Sequence, residues 1–208
     1  MAAQTATRTR PEQDSSVEQK LQKLQELYAD APELAKTALK NVIPAFKQEL
    51  TAVTTGAQNA GRIGARQGRV SELTGIFPFA EGGAKRLRGL LELLGGHFQG
   101  ADVVGTVHDM RFVFLDNDTK LLFATAYDGE WDAYIDDFAT KIPDAMDVLF
   151  SNAKGWPGIR SPKVKDWIVE HQLPAESWYV ANPNLTVTET RRLERVGKAV
   201  EEFLDKIG

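Results

Sequence analysis

Hydrophobic positions along this chain change rhythm twice. Val17, Leu21, Leu24, Leu27 and Tyr28, then Leu34, Ala38, Val42 and Ala45, recur at three- and four-residue intervals. That is the spacing of helices burying one stripe. Ser15 followed by Glu18 forms a capping-box pattern for the first helix. Pro32 interrupts, and a second helix is expected near 33–53, kinked or split at Pro44. From Val70 the period drops to two: Leu73, Gly75 and Phe77 alternate with Glu72, Thr74 and Ile76, which predicts a strand. A helix over 81–94 follows, with Leu87, Leu90, Leu91 and Leu94 on one stripe and Gly95-Gly96 as its stop; His97 beyond it reads as a solvated cap residue.

The segment 103–138 is the centre of the pattern. Residues 103–115 alternate as a strand, with Val104, Thr106, His108, Met110, Phe112 and Phe114 on one face and Gly105, Val107, Asp109, Arg111, Val113 and Leu115 on the other. Asp116-Asn117-Asp118-Thr119 carries the short carbonyl side chains of a tight reversal. Lys120 to Tyr127 returns as the partner strand, and no twelve-residue calcium pattern is present. A helix then carries Trp131, Tyr134, Ile135 and Phe138 inward, a further helical stretch 143–153 carries Met146, Leu149 and Phe150, and 163–171 is a short helix with Trp167 and Ile168 inward. Residues 177–181 are expected as a fourth strand. Thr186 and Glu189 form a second capping box before a final helix striped by Leu193, Val196, Val200, Phe203 and Ile207.

These elements define an α+β protein. The expected organisation is a disordered tail (1–15), a helical arm (16–53), a Gly/Arg-rich linker (54–69) and an α+β domain (70–208) in the order strand, helix, strand, strand, helices, strand, helix. That order gives an antiparallel sheet with helices on one face. Large apolar residues occupy both faces of 103–115, so the open face is expected to close against a second sheet. A homodimer supplies one.

Composition narrows the classes. The net charge of −4 is too mild to draw the chain to nucleic acid. Cysteine is absent, which removes disulfides, thiolate metal sites and a cysteine nucleophile and suits a cytoplasmic protein. No apolar run approaches the roughly 20 residues of a membrane span, and the first residues lack the apolar core of a secretory signal. The joint at 54–69 concentrates glycine with Arg62, Arg66 and Arg69, a composition that serves either a phosphate-contacting loop or a solvated linker. It lacks the GxxxxGK[ST] order of a nucleotide loop.

The element order, with GTVHDMRFVFLD and LLFATAYDGEWDAYIDDF, resembles the ferredoxin-like dimeric α+β barrel proteins over roughly residues 70–208. That group includes small monooxygenases, chlorite-dismutase-like haem proteins and dye-decolourising-type peroxidases. The resemblance implies a ferredoxin-like βαββαβ sheet, a homodimer and oxidative chemistry, with haem as a cofactor in some members. Thr125-Ala126-Tyr127-Asp128-Gly129 partly matches the GxxDG pattern of the peroxidases, with threonine in place of the first glycine. The match makes Asp128 a catalytic candidate.

Beside that resemblance, the candidate residues carry two readings each. His108, between Thr106 and Met110 with Phe112 beyond, places one titratable group in an apolar wall. It suits a haem-iron ligand, a general base, or a packed core histidine. Arg111 suits an anionic substrate or haem propionate, or simply an ion pair with Asp109 or Glu72. Asp128, Asp132 and Asp136 serve either a cation or the dipole of the helix they begin. Tyr127, Trp156 and Trp178 join Thr106, Met110 and Phe112 as candidate walls of a pocket for a small aromatic or apolar ligand. Two functions follow. One is a small-molecule oxidoreductase, haem-dependent and peroxidase-like or cofactor-free; the other is a non-catalytic ligand-binding or protein-assembly module using the helical arm.

Overall fold

The computed structural model describes residues 10–51, 58–95 and 98–207. The chain divides into two compact units, Met1–Gly56 and Ala57–Gly208. In the first, α1 (Arg10–Leu27) packs against α2 (Glu33–Thr51), and Val17, Leu21 and Leu39 are its buried apolar residues. The Pro32 carbonyl accepts from the amides of Ala35 and Lys36, which starts α2, and Lys47 reaches Glu18 on the facing helix at 3.3 Å. Residues 10–15, expected as tail, are helical, so Ser15 lies inside α1 rather than at its cap. The rest of the expected tail, 1–9, lies outside the described residues. α2 runs through Pro44 without splitting.

The second unit is built on a five-stranded antiparallel sheet in the order β1-β2-β3-β5-β4. Its strands are β1 (Gln58–Asn59), β2 (Ala65–Gln67), β3 (Val70–Pro78), β4 (Val107–Leu115) and β5 (Lys120–Asp128). β5 pairs antiparallel with both β3 and β4, so β3 and β4 run parallel on either side of it. Asp116, Asn117 and Asp118 all take positive φ in the turn between β4 and β5, the region where short carbonyl side chains are tolerated best.

Alternation decides the core. Leu73 and Phe77 of β3 face the same side as Leu121, Phe123 and Tyr127 of β5, and all five are buried. α5 (Trp131–Lys141), α6 (Pro143–Phe150) and α7 (Val164–His171) supply the stripes anticipated from their spacing. α3 (Gly83–Leu93) adds Leu87. Phe77 stacks on Trp167 with ring centroids 4.8 Å apart and meets Phe150 edge-on.

Three segments differ from the sequence expectation. Residues 99–104 form a short helix, α4 (Gln99–Val104), closed by Gly105 at φ 79°, so β4 begins only at Val107. Residues 58–67, expected as linker, form β1 and β2, and the loop between them buries Ile63 in the core. Residues 177–181 are not a strand. The free edge of β3 is already used: Gln67 and Arg66 pair with Val70 and Ser71, while Gln172 bridges Gly75 and the Leu173 amide donates to the Thr74 carbonyl. Tyr179 is accordingly 86% exposed.

α8 (Val187–Ile207) closes the described chain. Its N-terminus is the capping box expected: the Glu189 amide donates to Thr186 Oγ1 at 3.2 Å, and the Thr186 amide donates to Glu189 Oε2 at 2.8 Å. Its apolar stripe stays in solvent.

Candidate functional site

The β4–β5 register places His108. Val107 pairs with Tyr127 and Asp109 with Ala126, so a bulge leaves His108 without a ladder partner. Met110, Phe112 and Phe114 lie opposite the buried Thr125, Phe123 and Leu121 and therefore face the core. His108 does not share that wall, which corrects the face expected from simple alternation. Instead its Nε2 lies 2.7 Å from Asp128 Oδ1, and the two side chains are 23% and 12% exposed.

Asp128 has a second partner. Its Oδ2 accepts the Val187 amide at 3.0 Å, so the carboxylate caps the start of α8 while it holds His108. The structure thus brings together two of the three candidate catalytic residues, although they are twenty positions apart. Arg111 is not the third member: its Nε lies 3.0 Å from Asp109 Oδ2. A carboxylate that fixes one nitrogen of an imidazole leaves the other for proton transfer, the chemistry of an acid–base pair.

The pocket candidates scatter. Tyr127 is fully buried and stacks on Tyr134 at 3.8 Å between centroids. Tyr134 Oη meets Thr125 Oγ1 at 2.8 Å. Burial first, then the neighbouring Tyr134 and Glu72, pushes the Tyr127 phenol above its ordinary range, and burial pushes Tyr134 up as well. Both stay neutral through the physiological range. Tyr127 Oη, Trp131 Nε1 and Thr106 Oγ1 are buried without a hydrogen-bond partner. Phe112 packs on Phe123 and Phe150, Met110 lies against the same core, and the Trp178 carbonyl accepts from Gln67 Nε2 at the β2 edge. Trp156 does line a small cavity, together with Phe77, Phe123, Phe150 and Trp167, and its Nε1 donates to Asp147 Oδ1 at 2.9 Å. For Phe77 and Trp167, the inward alternation and the helical stripe mark packing in the sequence and do not by themselves point to a cavity.

That cavity measures about 20 Å³ and is wholly apolar. Small-molecule sites need roughly 300 Å³ or more, so the residues around it do not fit haem. Nor does His108 face it. Among the described residues no group of three His, Asp or Glu side chains could hold a metal ion. The acidic row is divided: Lys165 takes Asp132 at 3.0 Å and Asp136 at 2.9 Å, while Asp128 serves His108 and α8. Burial works to lower the Lys165 pKa, but the hydrogen bonds that its ammonium donates to Asp136 and Asp132 outweigh it and raise the value.

The arginines of the expected linker are structural. Arg62 pairs with Asp166, Arg66 with Glu130, and Arg69 with Glu189 at 2.8 Å. His97 lies outside the described residues. No helix among the described residues is long and apolar enough to cross a membrane. Comparison with protein-family models, with curated proteins and with solved structures finds no match.

Proposed function

We propose that the protein is a protein-assembly module, with the 57–208 unit acting as a homo-oligomerising, ferredoxin-like α+β body. One observation carries this reading. α8 is a 21-residue helix whose apolar stripe is exposed along its length, with Leu193 at 50%, Phe203 at 60% and Ile207 at 64%. Scattered apolar residues on a surface are ordinary, but a continuous stripe of this length marks an interaction surface. The sheet supports the same reading, since Val113 on its outer face is exposed and Ile76 and Leu122 are only partly covered. The test is the mass of the purified full chain by light scattering behind a sizing column. A dimer or larger species is expected, and a monomer at about 100 µM would sink the proposal.

The His108–Asp128 pair favours a second reading, a cofactor-free oxidoreductase in which His108 is the base at the sheet rim. His108→Ala would then abolish turnover of a small aromatic substrate while leaving the melting temperature within a few degrees, because the site is on the surface. Unchanged turnover would dismiss His108 from that role.

A further inference from the structure

We infer that α8 pairs with α8 of a second copy of this chain, antiparallel, about a two-fold axis at Val200. The inference rests on the assembly reading above and names the surface and the partner. Leu193, Val196, Val200, Phe203 and Ile207 follow one another at steps of three, four, three and four. That is the seam of a left-handed two-helix pair rather than the broader face of a helix lying on a sheet.

Size fixes the direction. Leu193 aside, the residues on and beside the stripe before Val200 are slight (Val196, Gly197, Ala199), whereas those after it are bulky (Phe203, Leu204, Ile207). A parallel pair would set small against small and large against large. An antiparallel pair centred on Val200 sets Leu204 beside the partner copy's Gly197 and Val196, and Phe203 beside its Ala199. Gly197 has open space where a Cβ would stand, which provides the notch. Glycine inside an exposed helix is otherwise unfavourable relative to alanine.

Charge gives the same direction. Arg192, Arg195 and Lys198 lie in the N-terminal half, and Glu201, Glu202 and Asp205 in the C-terminal half. A two-fold at Val200 brings Arg195 level with Asp205 of the other copy, Lys198 with Glu202, and Glu194 with Lys206. The opposed helix dipoles add to this preference. The stripe is open to cover along its whole length, since Leu193, Val196, Val200, Phe203, Leu204 and Ile207 are each about half exposed or more, and a specific interface has to bury roughly 1,000 Å² in total.

The chain has no cysteine, so single introduced thiols report geometry without background. In full-length protein, mild oxidation of Val200→Cys should give a covalent dimer. Leu193→Cys alone should stay uncrosslinked but join to Ile207→Cys when the two are mixed. Val200→Glu, which places a charge on the axis, should weaken self-association by at least about 100-fold with an unchanged circular dichroism spectrum. Efficient Leu193→Cys self-crosslinking would overturn the antiparallel arrangement. A Val200→Glu protein that stays dimeric would overturn the α8 seam while leaving the assembly reading intact, with the sheet face as the interface. A monomeric parent chain would overturn both.

Discussion

α5 and α8 carry the same kind of sequence signal, an apolar stripe at helical spacing, and meet opposite fates. The Trp131, Tyr134, Ile135 and Phe138 stripe of α5 is closed under the sheet and neighbouring helices. Among the described residues α8 is held near its beginning, by the Val187 amide on Asp128 and by the Arg69–Glu189 and Arg191–Asp102 pairs, and its Leu193 to Ile207 stripe then leaves its apolar face in solvent. Periodicity reports which side of a helix is apolar. What covers that side depends on what the chain places next to it.

The largest expected effect separates the two stripes directly. Phe138→Ala removes a ring that meets Tyr134 edge-on at 4.8 Å in a closed core, and should lower unfolding free energy by about 3–5 kcal/mol. Phe203→Ala removes a ring of the same size from solvent. In dilute protein, below the concentration at which copies associate, it should change stability by no more than about 0.5 kcal/mol. Urea titration at one low concentration measures both. Equal losses would mean that α8 is packed within its own chain and would end the comparison.

Glycines sharpen it at smaller scale. A Cβ at Gly83 would sit 2.3 Å from the Asn152 carbonyl oxygen, a backbone atom held in the Ala80–Asn152 contact. Gly83→Ala should therefore destabilise by about 1–3 kcal/mol. Gly197→Ala meets nothing and should stabilise the isolated helix by roughly 0.5–1 kcal/mol. If α8 pairs as inferred, the same change fills the notch for Leu204, so self-association should weaken as thermal stability of the dilute protein rises. Sedimentation and melting of this one variant give the two signs, and a tighter dimer would speak against the notch.

Much of the fold was legible because its signals are local. The Asp116-Asn117-Asp118 reversal, the alternation of β3 and the Thr186/Glu189 box each depend on a few adjacent residues, and each is where the sequence placed it. The expectations that differ involve competition between distant segments. Residues 177–181 alternate plausibly, yet β2 and Gln172 hold the β3 edge they would have joined. Val103 and Val104 look like strand, yet the left-handed Gly105 ends a short helix there. In the site, His108 and Asp128 were both singled out, but their meeting was hidden because one extra residue in β4 reverses the face of everything before it.

The smallest effect concerns how α8 is held at all. Glu189 has its pKa lowered, first by the hydrogen bond from the Thr186 amide, then by the Thr186 hydroxyl, with Arg69 adding to it. A carboxylate whose folded pKa is depressed stabilises the folded form above its ordinary value of 4.5, and that contribution fades as pH falls through the lower, folded value. The helical signal at 222 nm should hold steady down to about pH 4.5 and then decline as the first turn of α8 frays. Glu189→Gln keeps a hydrogen-bond acceptor but not the charge, so it should start with a slightly smaller signal and lose less of it on acidification. In α1, by contrast, the expected Ser15–Glu18 box does not cap the helix, since Arg10–Leu27 runs through Ser15. Identical acid profiles for Glu189→Gln and the parent chain would therefore show that α8 is anchored by something other than its cap, and Asp128 on the Val187 amide would be the next contact to remove.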